Sequence, residues 1–547
     1  MHIDDQTYQR LGKTYHRILL RTSYRHEGKV KKRTIANLSS CSQEEIAAIR
    51  IALDHKHDLS QLQEILNSPV KMHKGPSVGA ILVLQAMAKR LGITKALGKS
   101  REGKLALWQV MARIIHQGSR LAAVRLASRH ATCDVLDLDI FDEDDLYDNL
   151  DWLAQKQSDI EDRLFRQRKK ENIPQLFLYD VTSSYFEGQQ NELADFGYNR
   201  DKKKGKKQIV IGLLTDEDGD PLSVQVYRGN TSDNKTFTDQ VAKVKKRFGV
   251  KSVTMVGDRG MIQSEQIEQL PQFFHYLTAI TKPQIKSLLK KGTLQMELFD
   301  DDVCEVECEG VRYVVRRNPV RVEEIADQRS EKQRNVQKLV DQQNQKLEAN
   351  PRTWVSAALR KVKKKIEKLK LDKWLTVEEQ NRTLILKVNE EELEEISRLD
   401  GCYVIKTDVS AAEVSTQIVH DRYKSLAQVE WAFRTMKTAY LETRPHFVRK
   451  ENRTRGHVFV VMLAYKIIRY LKEAWKDIHL TVEEGMGALA TICSTTLEVG
   501  GKCHCQSIPE PDSPGKELLQ ALNLTLPDAI PMKGVEVDTK RKLPPRK

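Results

Sequence analysis

Glu430 stands seven residues after Tyr423 and seven before Lys437 in the stretch YKSLAQVEWAFRTMK. Seven steps of about 100° fall only about 20° short of two helical turns, so the stretch, read as one helix, carries all three on one face. Arg434 follows Glu430 by four and joins that face, while Leu426, Val429 and Phe433 can pack behind it. Taken alone, this is an exposed helix with an ordinary Glu–Arg ion pair. Two aspartates elsewhere shift the balance: Asp180 ends the short apolar run LFLYD, and Asp258 ends VTMVGD, where Gly260 allows a tight exit. Ligands collect at the carboxyl ends of strands in open α/β sheets, although an aspartate there is often only a turn former. Three carboxylates at close range repel one another unless cations neutralise them, and an oxygen-only donor set favours Mg²⁺ or Mn²⁺ over zinc. Two such ions about 3.5–4 Å apart can activate a water or a 3′-hydroxyl for in-line attack on phosphorus. The basic stripe beside Glu430 would then hold a DNA backbone through its phosphates.

The elements that must position these residues follow a definite order. LFLYD, Ile209–Thr215 and Pro221–Tyr227 predict three strands, the last two joined by a hairpin turn over Asp216–Asp220. Asp239–Phe248 predicts a helix, Val253–Asp258 a buried strand, and His275–Thr281 a fifth strand. Three meandering strands, a helix, a strand, a helix and a strand is the order of a ribonuclease H-like core. That order breaks from Lys282 to about Leu399, a length that needs its own structure. Val322–Leu347 and Val355–Leu371 predict a helical pair turning at Asn350–Pro351. The second helix lines up Val355, Leu359, Val362, Ile366 and Leu369, and basic residues from Arg360 to Lys370 cover the rest. A solvated coiled hairpin, a DNA-gripping arm and a dimer contact all fit that pattern. Cys402–Thr407 predicts the strand that resumes the core before Glu430.

Upstream, residues 8–40 alternate as strands around a turn at His26-Glu27-Gly28, Gln43 to about Leu66 is helical, and residues 69–76 read as a linker. Val78 to about Lys169 is read as all helical, from Ile81, Leu84 and Met87 to Leu107, Met111 and Ile114. Within it AMAKRLGITKAL has the rhythm of a helix-turn-helix about Gly92, and a plain bundle with a glycine cap fits as well. Asp142, Glu143, Asp144 and Asp145 suit the positive end of a following helix. Downstream of Lys437 come RPHFVRKENRTRGH and an apolar helix, Val458–Leu471; from Ser507 proline and lysine accumulate, as in a loosely ordered tail. The chain is thus an α/β protein divided as follows: a β-hairpin/helix domain (1–70), a helical, DNA-binding domain (76–170), a core in two parts (174–282 and 400–475) split by a mainly helical insertion (283–399), and a C-terminal helical region with its tail (476–547).

Ninety Lys and Arg against 76 Asp and Glu give the 547 residues a net charge of +14 and a pI near 9.1, which favours a polyanionic partner. The charge is concentrated in Arg200–Lys207 (RDKKKGKK), which includes Lys203 and Lys204, and in Lys424–Arg455, which includes Arg444. MHIDDQTYQR lacks the apolar core of a signal peptide, and the run Val458–Tyr465 stops at Lys466, short of a membrane span. A soluble, cytoplasmic protein is expected, with its eight cysteines as thiols. Cys503-His504-Cys505 matches no usual zinc spacing and has no second pair nearby, Cys304 and Cys308 sit in an acidic, strand-like run, and both are read as structural.

Several blocks together resemble the DDE transposases of bacterial insertion sequences, in the insertion-sequence-4 superfamily and its insertion-sequence-1634-like branch. They are LFLYDVTSSYFEG, GYNRDKKKGKKQIVIGLL, GDPLSVQVYRGNTSDNKTF, VGDRGM, LDGCYVIKTD, YKSLAQVEWAFRTMK and LETRPHFVRKENRTRGH, spanning about residues 176–465. The resemblance implies that Asp180, Asp258 and Glu430 are a triad for two Mg²⁺ or Mn²⁺ ions. It implies DNA contacts by Tyr423, Arg434, Lys437, Arg444, Arg259, Lys203 and Lys204. The superfamily pattern of Tyr, Arg, Glu and Lys is met by Tyr423, Glu430 and Lys437, but its arginine position holds Leu426, and Arg434 is the candidate replacement. Some relatives place a flipped base on a tryptophan; Trp354, Trp374 and Trp431 are available here. The implied activity is cleavage at terminal inverted repeats and joining of 3′-hydroxyls to target DNA, by a homodimer or larger synaptic complex associated with the nucleoid. A catalytically silent DNA-binding descendant and a nuclease that never joins are the competing readings.

Overall fold

The computed structural model describes residues 1–10, 13–57, 70–171, 174–188, 190–300, 303–438, 441, 443, 447–499, 503–531 and 533–541. It is a mixed α/β structure with one large mixed sheet and many helices.

The N-terminal region is a three-stranded antiparallel sheet of β1 (His2–Arg10), β2 (Lys13–His26) and β3 (Lys29–Asn37), not a single hairpin. Glu27 and Gly28 turn β2 into β3 with φ of 51° and 72°, the left-handed pair that a two-residue hairpin turn requires. β1 escaped the sequence reading because its alternation, HIDDQTYQR, is polar on both faces. Ile18, Leu38 and Ile46 bury the sheet against the helix Gln43–Asp54; the expected continuation of that helix past residue 57 lies outside the described residues.

The expected linker is instead β4 (Val70–Ser77), which pairs antiparallel with a strand at Cys493–Val499, itself paired with Cys503–Ser507. The expected loose tail is also corrected. Gly515–Ala521 is a helix whose Leu518 and Leu519 are buried with Leu522, and Lys540 and Arg541 reach the acidic start of the helix Glu143–Glu171. Glu143, only 1% exposed, accepts the backbone N–H groups of both residues, so the positive charges of the tail answer the acidic run Asp142–Asp145.

The large sheet holds β5 (Leu176–Tyr185), β6 (Gln208–Asp216), β7 (Pro221–Arg228), β8 (Val253–Val256), β9 (Phe274–Ala279), β10 (Cys304–Cys308), β11 (Val311–Arg317) and β14 (Cys402–Thr407) in the order β10-β11-β14-β9-β8-β5-β6-β7. Only β5, β8 and β9 run parallel. Along β5 the two-residue period sends Phe177, Tyr179 and Val181 to one face, against Phe237 and Val241 of the helix Asp233–Lys246. Leu176 and Leu178 go to the other face, whose core contains Val429 and Phe433 of the helix Ala427–Lys437 and the fully buried run Val458–Ala464 of the helix Glu451–Ala474. β6 is buried along its whole length, which is why it reads as a continuous apolar run.

Residues 283–399 contain the long helices Pro319–Ala349 and Val355–Leu369, packed through Val336, Val340, Val362 and Ile366 onto the hairpin of β12 (Leu375–Gln380) and β13 (Thr383–Val388). Most of the basic run Arg360–Lys370 is exposed. This segment is more than helical, since it also supplies β10 and β11 to the edge of the large sheet.

Candidate active site

Strand register sets the first two carboxylates level. Leu178 lies opposite Val256 in the parallel pairing of β5 with β8, and Asp180 and Asp258 each follow two residues later. β8 stops at Val256, so Asp180 stands in the cleft wall past the end of its parallel neighbour. The two-residue period puts Asp180 on the Leu178 face, toward the Glu430 helix. β5 was expected to end at Asp180; it runs on to Tyr185 because β6 continues to pair with it as far as Gln208. β8 in turn ends two residues short of Asp258, whose Oδ1 accepts the Arg259 N–H at 2.8 Å.

The Tyr423–Lys437 stretch is not one helix. The helix Thr416–Lys424 ends at Ser425, and a second begins at Ala427. The join is tightened by three-residue hydrogen bonds: Leu426 N to Tyr423 O (3.1 Å), Gln428 N to Ser425 O (2.9 Å) and Val429 N to Leu426 O (3.0 Å). Tyr423 therefore belongs to the preceding helix, yet it lines the same cleft as Glu430, because both junction residues keep right-handed helical dihedrals. The turn Asp216–Asp220 braces the second helix from below. Gly219, with φ of 78°, lies against Gln428, and Asp216 Oδ1 accepts from Asp218 N and Asp220 N.

The cleft measures about 930 Å³ and is lined by Asp180, Asp258 and Glu430 together with Tyr423, Arg434 and Lys437. Burial raises Asp180 to about 7, and the charges of Asp258 and Glu430 add to the rise against the hydrogen bond from Val181 N. Burial, then the charge of Asp258, also pushes Tyr423 above the usual phenol range, so it is a neutral hydroxyl at neutral pH. Lys437 Nζ reaches Asp201 at 2.6 Å and donates to Thr182 Oγ1 at 2.9 Å, tying the far end of the Glu430 helix to β5. Arg434 is exposed and lies over the Trp431 ring at 5.3 Å, with Lys472 at 4.7 Å from the same ring. Leu426, at the expected arginine position, is a buried part of the wall and carries no charge.

The other expected contacts are placed differently. Arg259 is exposed beside Asp258, outside the cleft wall, and its charge acts on Tyr423. Lys203 and Lys204 are exposed in the connection between β5 and β6, also outside the wall, with Lys203 over Tyr185 at 5.7 Å. Arg444 lies outside the described residues. From the same basic run it is Arg200, overlooked in the sequence, that lines the cleft, held by Asp233 at 2.5 Å. Asp201, also overlooked, lines the cleft as well, with a side chain only 1% exposed that pairs with Lys437. The arginine–aspartate pair that opens RDKKKGKK was the available signal. Of the three tryptophans, Trp374 is buried in the 283–399 core, whereas Trp354 and Trp431 are exposed.

Among the described residues, no three His, Cys, Asp or Glu side chains already stand as a metal cage. The donor chemistry nevertheless fits a hard cation: three carboxylates share one cleft, and a bound cation would offset the burial that chiefly raises Asp180 and the repulsion from Asp258 and Glu430 that adds to it. The side chains of Cys503, His504 and Cys505 lie outside the described residues. No described helix is long and apolar enough to cross a membrane.

Residues 171–467 match the family described as "Transposase DDE domain", and residues 6–65 match "IS1634 family transposase, N-terminal domain". No curated protein matches the chain. Among solved structures, a piggyBac transposase synaptic complex with hairpin DNA is similar at 9% sequence identity and a TM-score of 0.33, over 76% of this chain and 82% of that one. With more than half of its 547 residues inside the first match, the chain belongs to the DDE-domain transposases of insertion sequences, in the IS1634 branch.

Proposed function

We propose that this transposase binds the terminal inverted repeats of its own element, cleaves DNA at the ends and joins the 3′-hydroxyls to target DNA. The observation that carries the reading is the convergence of Asp180, Asp258 and Glu430 on one cleft, beside Arg434 and Lys437. The order β7-β6-β5-β8-β9, antiparallel then parallel, supports a ribonuclease H-like core, with residues 283–399 as the insertion that interrupts it. Asp180, Asp258 and Glu430 would hold Mg²⁺ or Mn²⁺. When bound, such ions neutralise the three carboxylates and polarise a water or a 3′-hydroxyl for attack on phosphorus. Arg434 and Arg200 place two guanidiniums on the cleft, where each can take phosphate oxygens. The neutral Tyr423 hydroxyl can donate to a phosphate without adding charge. Two ends must be handled together, so a homodimer or larger complex is the working assembly.

The test is an incubation of purified protein with labelled duplex carrying one element end and unlabelled target DNA, in Mg²⁺ and in EDTA. The expected outcome is a joined product in Mg²⁺ alone. Cleavage without joined product would leave a nuclease, and tight binding without cleavage would leave a silent DNA-binding protein.

A further inference from the structure

Charge is sorted by helix within residues 283–399. Pro319–Ala349 carries six basic and six acidic residues, Glu390–Ser397 carries five glutamates and no basic residue, and Val355–Leu369 carries six basic residues against Glu367 alone. On this last helix Ala358, Val362 and Ile366 are buried in the core of the segment. Steps of about 100° place Arg360, Lys361, Lys364 and Lys368 within an arc of about 100° on the roughly opposite side, and all four are exposed. Among the described residues none of the four forms an ion pair. Lysines of neighbouring elements do: Lys387 meets Glu378 at 2.6 Å, and Lys286 meets Glu395 at 3.2 Å. Arg360, Lys364 and Lys368 follow one another at intervals of four, a spacing at which like charges repel and work against the helix.

The tip of the same arm adds two more cations. β12 turns into β13 over Asn381 and Arg382, with φ of 50° and 64°. A two-residue turn of this kind needs both residues in the left-handed region and favours glycine second, so an arginine there is strained. Arg382 Nη2 donates to the carbonyl of Thr353, the residue after Arg352, at 3.3 Å, and both arginines are exposed. Trp354, which precedes the helix, is 78% exposed, so this end of the arm is uncovered as well. The root of the arm lies at the catalytic cleft. Asn318, whose side chain caps Pro319–Ala349 by accepting from Arg321 N, stands in the cleft wall, and the 31 residues of that helix reach about 46 Å from it.

We propose that the face bearing Arg360, Lys361, Lys364 and Lys368, with Arg352 and Arg382 at its tip, binds backbone phosphates of duplex DNA that runs out of the cleft along this arm; this rests on the DNA-binding reading above. The stripe from Arg360 to Lys368 spans about 12 Å, over which a duplex presents about seven phosphate charges. Cations so placed hold the backbone without reading bases. A symmetric contact between two copies through this face would set like charges together, which disfavours the dimer reading of the same pattern.

The test measures binding of the full-length protein to a labelled element-end duplex and to an unrelated duplex of equal length, by fluorescence anisotropy across a salt series. It compares wild type, Arg360→Gln/Lys364→Gln/Lys368→Gln, and the charge-conserving Arg360→Lys/Lys364→Arg/Lys368→Arg. The neutralised variant should melt no lower than wild type, because the repulsion along the helix is relieved. It should lose about tenfold or more in affinity for both duplexes near physiological salt, with a slope of log K against log salt shallower by about 2–3. The charge-conserving variant should bind as wild type does, and light scattering should give all three proteins the same mass. Wild-type affinity and slope in the neutralised variant would overturn the proposal and leave the transposase reading intact. So would a lower mass in that variant, which would give the face to an acidic surface of a second copy. A loss confined to the element-end duplex would mean base recognition and also overturn the phosphate contact. A wild type that binds neither duplex would remove the DNA-binding reading and the proposal with it.

Discussion

Asp180 shares its cleft with Asp258 and Glu430, and its ionisation opposes folding. The folded carboxyl keeps its proton up to about 7, whereas an unfolded aspartate loses it near its ordinary value of 3.8. Between those values the folded chain binds more protons, so this contribution to stability is full at low pH and is lost as pH rises through about 7. In EDTA, Asp180→Asn should melt above wild type at pH 8, by up to about 4 kcal/mol, and the gap should close toward pH 4. Thermal denaturation against pH checks this, and a gap independent of pH would contradict it. Added Mg²⁺ should raise the wild-type melting temperature at pH 8 more than that of Asp180→Asn. Lys437 supplies the opposite case, because its partner Asp201 has a side chain only 1% exposed. Lys437→Met should cost about 3 kcal/mol, and adding Asp201→Asn should recover part of the loss. A denaturant double-mutant cycle reads the coupling, and strictly additive costs would refute it.

At the scale of elements, what the sequence made legible is what depends on local pattern. LFLYD and IVIGLLT announce buried strands because both faces are covered, and the ends of LFLYD and VTMVGD marked Asp180 and Asp258 before any register was known. The level of the two aspartates rests on the Leu178–Val256 pairing, which neither strand encodes alone. β4 was missed because VKMHKGPS contains a glycine and a proline and finds its partner more than 400 residues later, at Cys493–Val499. The break at Ser425–Leu426 was missed because the heptad spacing survives it when both residues stay near helical dihedrals. The tail looked loose because prolines and lysines accumulate in it, yet Leu518, Leu519 and Leu522 dock it. Leu518→Ala should therefore cost about 2–4 kcal/mol in chemical denaturation; an unchanged midpoint would return the tail to the status the composition implied.

Across the whole molecule, the helix that carries Glu430 is held by distant parts of the chain. The turn Asp216–Asp220 meets it at Gln428, β5 receives Lys437 through Thr182, and Lys466 of the helix Glu451–Ala474 pairs with Asp220 of that same turn. The third carboxylate is thus fixed to the sheet that carries the first two, although about 170 residues separate Asp258 from Glu430. That length holds the helical pair, its hairpin and the edge strands, so the chain between the two carboxylates can be long without loosening the cleft. The account stands on the three carboxylates acting as one centre. The measurement that tests it most directly is Mg²⁺-dependent cleavage of element-end DNA by wild type and by Asp180→Asn, Asp258→Asn and Glu430→Gln in parallel, with DNA affinity measured alongside. Each single variant should lose at least about 10²-fold in cleavage rate while still binding the duplex. Full metal-dependent cleavage by any one of them would contradict the account.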